Sequence, residues 1–229
     1  MTTRMRPLQA NKMRKARLGL QMSLCMFLPL ASLGQGEVVF PAAHRSGGMP
    51  LFSALQRRHS TQAFEARKIP WDIVGNLLWS GYGVTRRQTG VRTAPAYKRA
   101  HEIEVYLLAE AGVWRYDAEA HRLEPIQPGD YRALAGKEPH VQKAPLSLLY
   151  VADPTVLPER ATSLTETDKR RLSALHVGHI TQNIQLFCAS EGLGIANNPV
   201  LDTKQAIVSL DLPAYKWAVA AQTIGYPGP

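Results

Sequence analysis

Residues 57–64 read R-R-H-S-T-Q-A-F, with apolar Leu55 ahead of them. Arg57, Arg58, His59, Ser60 and Thr61 offer more hydrogen-bond donors than a helix surface needs, and a core could bury them only with partners. One account is local. The arginines would complement the macrodipole at a helix C-terminus, and Ser60 would serve as the next cap. The other account is a ligand. Arginine forks and hydroxyls suit a phosphate joined to a polyol and a flat heterocycle rimmed with acceptors. The residues alone leave both open.

The flanks set this stretch between two helices. Pro50 suits a first helical turn, and L-F-S-A-L-Q-R-R forms a short amphipathic helix ending near His59. Pro70-Trp71-Asp72 opens a second, with apolar residues at 71, 74, 77 and 78, running out at Gly81 and Gly83. A second donor-rich stretch comes next, the polar loop of residues 83–100 with two glycines and five Arg or Lys residues. Irregular segments of that length are more often functional than filler.

From His101 the pattern alternates. H-E-I-E-V-Y-L-L, a turn at Ala111-Gly112, and V-W-R-Y-D predict a hairpin. Asp130 can cap a short helix. Residues 145–153, P-L-S-L-L-Y-V-A-D, form the near-continuous apolar run of a strand buried on both faces. Thr165 to Asp168 begins the longest helix, about residues 168–191, stopped by Gly192. A strand at 193–197, a helix at 202–210 and a last strand in K-W-A-V-A-A-Q-T-I-G complete the pattern. The order of elements predicts an α+β domain with a small mixed central sheet flanked by helices.

The net charge of +9 suggests nucleic acid until it is located. Six of the 27 basic residues precede residue 18 and the first acidic residue is Glu37, leaving 21 cations against 18 acids in the remainder. Nucleic-acid binding is therefore not expected. The basic run and the apolar residues 18–34 after it predict a signal peptide over 1–34, with residues 35–49 a linker and 50–229 the folded domain. This places the protein in the periplasm or outside the cell. The rival expectation is a membrane anchor formed by residues 18–34.

Cys188, in the apolar run I-Q-L-F-C-A, is expected to be a core residue rather than a nucleophile. His176 and His179 share a helix face, but without a third ligand they are expected to be core or interface histidines, and no metal site is predicted. The chain lacks G-x-S-x-G, a Walker A motif and a G-x-G-x-x-G that opens a helix after a strand.

R-H-S-T-Q-A-F resembles the N-terminal signature of the FMN-dependent nitroreductase family: Arg, Arg or His, Ser, any residue, Arg or Lys, any residue, Phe. L-L-W-S-G-Y-G-V-T-R, G-V-R-T-A-P and I-E-V-Y-L-L…G-V-W-R-Y-D…H-R-L resemble its SagB-type branch. H-I-T-Q-N-I-Q-L-F-C-A-S-E-G-L-G is similar to the family's long central helix, and T-I-G-Y-P to its last strand. The resemblance spans about residues 50–227 and keeps the motifs in order.

The resemblance implies an intertwined homodimer with FMN at the subunit interface and no catalytic side chain. Hydride transfer would pass through flavin N5 by a ping-pong mechanism, to or from a small planar substrate. Carried over by position, Arg58, His59, Ser60 and Gln62 would meet the FMN, with Arg92, Thr93, Ala94 and Pro95 near the flavin and the segment around Asn198, Pro199 and Val200 presenting backbone amides to it. Gln62 stands where the family has Arg or Lys, and Ala96 replaces a Ser after R-T-A-P. The residues after the last strand, G-Y-P-G-P, carry none of the basic residues of many relatives. A cation at position 62 would favour the reduced flavin anion, so Gln62 predicts a lower potential or weaker binding. NAD(P)H is the family's usual donor and is not expected outside the cytoplasm, whereas SagB-type relatives oxidise peptide azolines to azoles. The alternative expectation is a shell that binds flavin or another small ligand with little or no turnover.

Overall fold

The computed structural model describes residues 1, 36–158, 163–198 and 202–229. The signal or anchor expected over 1–34 therefore lies outside the described residues apart from Met1, and so do Pro199 and Val200. No described helix is long and apolar enough to cross a membrane.

Seven strands form the main sheet: β1 (Val38–Val39), β4 (Ile103–Ala109), β5 (Gly112–Asp117), β6 (Arg122–Pro128), β7 (Leu146–Ala152), β8 (Gly194–Asn198) and β9 (Trp217–Gly225). Their order across it is β1-β6-β5-β4-β7-β9-β8. Every pairing within it is antiparallel, so the mixed sheet expected from sequence is instead a uniform one. The reason lies in the connections. β4, β5 and β6 succeed one another through tight turns, and the neighbours β7 and β9 are separated in sequence by an excursion that returns the chain in the opposite direction.

Central β7 is buried along its whole length, as its unbroken apolar run predicts. Its residues alternate between two cores. Leu146, Leu148 and Tyr150 face one side with Leu107 and Trp114; Leu149 and Val151 face the other with Tyr106 and Leu108. The first side is covered by α2 (Trp71–Tyr82) and α4 (Glu166–Glu191), the second by short elements that include α3 (Pro139–Lys143) and α5 (Thr203–Ser209). A bulge shifts the register between the Tyr150–Ala220 and Val151–Ala218 pairs. The extra residue places Val219 and Ala220 against the same core, which simple alternation would not allow.

α4 is the spine of the helical layer. Thr165 caps it by accepting from the Asp168 amide at 3.1 Å, and Gly192 ends it at φ 70°. α2 crosses it closely at Gly81, where an added Cβ would stand 2.5 Å from the Ile184 Cδ1.

Three segments differ from the sequence reading. Within residues 35–49, read as a linker, the described residues 36–49 carry β1 and set Phe40 into the core against Gly75. The 83–100 loop contains a hairpin of β2 (Val84–Arg86) and β3 (Val91–Arg92), then one 3-10 turn over Tyr97–Arg99. β6 forms where the sequence reading assigned no element. Pro125 and Pro128 demote L-E-P-I-Q-P as a strand, yet the first sits beside a bulge and the second ends the strand, places where a missing amide is tolerated.

Candidate functional site

The R-R-H-S-T-Q-A-F stretch leaves α1 (Leu51–Arg57) as an extended strap along the free side of β8 and the end of β9. The Thr61 amide donates to the Ile195 carbonyl at 2.8 Å, Glu65 N to Tyr226 O at 3.0 Å, and Gly228 N to Ala63 O at 2.9 Å. Phe64 bridges to Pro227 and buries its ring. The strap thus has an inner and an outer face. Thr61 and Phe64 turn inward, while His59, Ser60 and Gln62 face solvent.

This placement decides which donors are free. Arg58 is half-buried and spends one guanidinium nitrogen on the Gln185 Oε1 of α4, at 3.1 Å. His59 donates from Nδ1 to the Arg57 carbonyl at 2.9 Å, which leaves Nε2 as the free ring nitrogen. The side chains of Ser60 and Gln62 have no partner among the described residues. Thr61 Oγ1 is buried without one. A half-committed guanidinium, a free hydroxyl and a free amide along one strap match the donor set that a phosphate, a polyol and a heterocycle edge require. The sequence did not single out Gln185, nor show that Thr61, one of the crowded donors, turns inward; the burial of both depends on β8 and α4.

The second stretch is organised by α4 as well. His179 donates from Nδ1 to the Pro95 carbonyl at 3.1 Å, and His176 Nε2 accepts from the Tyr97 amide at 2.8 Å. That bond leaves the His176 Nδ1 to face Glu102, at 2.7 Å, where Ser173 also donates at 3.3 Å. His176 and Glu102 are both buried. The histidine pair is thus a clamp on the 95–97 turn, with His176 buried and His179 partly exposed, and no metal-binding cluster occurs among the described residues.

Within the turn, Ala94 is a core residue, so only its backbone is available to a ligand. The Thr93 amide donates to Gly83 O at 2.9 Å, and its hydroxyl is buried without a partner. The Arg92 guanidinium lies 4.1 Å from the centre of the Tyr82 ring. Burial pushes the Tyr82 phenol up to about 12, with Arg92 opposing and Glu102 adding to the rise, so it stays protonated. Cys188 is fully buried, and burial pushes its thiol up; no thiolate is available for catalysis.

Gln185 and His179 are six residues apart on α4, which puts them about 9 Å apart along the axis and about 120° apart around it. Strap and turn therefore grip the helix on different sides, and no hydrogen bond or ion pair among the described residues joins them. Next to β8 lies a buried polar network that sequence reasoning missed. Gln222 donates to Asn197 Oδ1 at 2.8 Å and to Thr181 O at 3.1 Å, and Asn198 donates to Thr223 at 2.8 Å.

The architecture is that of a known family. The nitroreductase family profile matches residues 55–226. A crystal structure of a protein from Ralstonia eutropha assigned as a nitroreductase superposes with a TM-score of 0.78 at 33% identity, covering 84% of this chain and 90% of the other. A Methanocaldococcus jannaschii protein assigned as a nitroreductase is 29% identical over 154 residues, 63% of this chain and 75% of its own. The NADPH:FMN oxidoreductase of Vibrio harveyi shares the fold at 18% identity, with a TM-score of 0.56 over 78% of this chain and 69% of the other. The chain belongs to the nitroreductase family, and its membership supports a flavin-dependent oxidoreductase.

Proposed function

We propose that the protein is an exported, homodimeric FMN oxidoreductase whose site is shared between two subunits. The observation that carries this reading is the split grip on α4: strap and turn lie on different sides of one helix, so a second copy docked along it would complete each site. Leu51, Phe52 and Leu55 of α1 and Leu175 of α4 are exposed, Phe52 at 85%, and a second subunit would cover such a patch. In the assembled site Arg58 would meet the phosphate, Ser60 the ribityl chain and Gln62 the pyrimidine edge, with the backbone of 93–95 supplied by the other subunit. Bound FMN would supply two-electron transfer between a donor and a flat acceptor in alternating half-reactions. The protein's part is to hold and orient.

An exported enzyme has no ready NAD(P)H. Its electrons would come from another carrier or from a substrate that is itself dehydrogenated, the latter in line with the SagB-type motifs. The deciding experiment is an absorbance spectrum of the purified protein before and after FMN, then anaerobic titration with NADPH. Yellow protein at dimer mass is expected. Colourless protein that fails to take up FMN would overturn the reading. Flavin bound without reduction by any donor would instead favour the non-turnover shell, for which Gln62 is the supporting feature. Phe52→Glu, at an exposed position, is expected to give a folded monomer with weakened flavin binding.

A further inference from the structure

Away from the strap donors, on the far side of Phe64, a cavity of about 940 Å³ opens between the 64–71 segment, the start of α2 and the β4–β5 hairpin. Its size is at the upper end of the range of about 300–1,000 Å³ typical of small-molecule pockets. Val74, Leu107 and Leu146 line its depth and are almost wholly buried. Its walls are aromatic. Trp71 and Trp114 meet edge to face with ring centres 6.1 Å apart, and Trp71 stays 46% exposed. Leaving so much indole in water is costly unless something covers it.

The lining charges are few. Lys68 and Lys143 are exposed and make no ion pair with any described residue. Arg132 is committed, with Asp130 at 2.6 and 2.9 Å and the Ala144 carbonyl at 2.8 Å. Glu110 is the single acid of the lining. Two free ammonium groups against one carboxylate leave an apolar cavity with a positive mouth.

We propose that this cavity binds a monocarboxylate with an apolar body, seated against the wall that Trp71 and Trp114 form, with its head at Lys68 and Lys143. The site shares only the inward ring of Phe64 with the strap, uses none of its free donors and none of the turn residues, and does not depend on the flavin reading. Such an acid gains from apolar burial and from the mouth at once. A neutral alcohol of equal length gains only the first, and an amine is repelled.

The test titrates the purified protein, in excess FMN, with decanoate, decanol and decylamine, read by tryptophan fluorescence and calorimetry. Saturable one-to-one binding of decanoate, about tenfold tighter than of either analogue, is expected. The double variant Lys68→Glu/Lys143→Glu should lose that preference and favour decylamine, since both side chains are exposed and the fold does not need them. Ala109→Trp, which fills the cavity from β4, should abolish binding with the melting temperature as the control on folding. Equal affinity for the three probes, no saturable binding, or decanoate binding unchanged by the charge reversal would each overturn the proposal.

Discussion

At residue scale, Gln62 carries the most information about how a flavin would be used. Its amide faces solvent with no described partner, so a cation placed there has room to act. Gln62→Lys should tighten FMN binding roughly tenfold, the worth of one charge-assisted hydrogen bond, and raise the midpoint potential; fluorescence titration and redox dye equilibration read the two effects. His176 is a positioning residue of another kind. It joins a buried carboxylate to the turn that carries Thr93 and Pro95. His176→Ala leaves Glu102 buried without its nearest partner and should cost about 3–5 kcal/mol in denaturant unfolding. Glu102→Gln, which removes the charge but keeps an acceptor, should cost clearly less. A turn loosened in this way would also show as faster amide exchange at Tyr97.

At element scale, the strap depends on a glycine in the neighbouring strand. A Cβ at Gly194 of β8 would stand 2.8 Å from Thr61 Cγ2 and 3.0 Å from Thr61 Cβ. Neither atom is the end of a long flexible chain, so the strap itself must move. Gly194→Ala should destabilise by about 1–3 kcal/mol and weaken FMN binding without touching any proposed ligand, as thermal unfolding and titration would show. Elements also differ in how far neighbouring residues define them. The spans of α2, α4, β4, β5, β7 and β9 follow from local apolar period, capping residues and turn signals. That of β6 does not, because its prolines are acceptable only beside a bulge that its partner β5 determines.

For the whole molecule, the second face of the sheet is tied together by charge. Lys216 reaches Glu104 at 2.8 Å and Asp153 at 3.1 Å, joining the ends of β9, β4 and β7. Burial works against ionisation of Asp153, but its bonds from Thr155 and Lys216 outweigh burial and hold the carboxyl below its ordinary 3.8. The unfolded chain therefore binds this proton first as pH falls. The stability from Asp153 is complete above about pH 4 and is lost as pH drops through the lowered folded value. Asp153→Asn should flatten that acid limb of the stability profile and cost about 1.5–3 kcal/mol at neutral pH, measured by urea unfolding across pH.

By itself the sequence determined the order of the main elements other than β1, β2, β3 and β6, the buried central strand, the capped long helix and the donor-rich stretch of residues 57–62. Each of these is written in neighbouring residues, and the stretch and the helix are also where the family resemblance lies. Only the tertiary structure decided which of the donors are spent and which are free. Arg58 is half-used because Gln185 lies opposite it, Thr61 is buried because Gly194 leaves room, and His176 serves Glu102 and Tyr97 rather than a metal. Each of those partners lies 74 or more residues away along the chain. A pairing over such separations is fixed by the register of a sheet and the crossing of two helices, which no local pattern encodes.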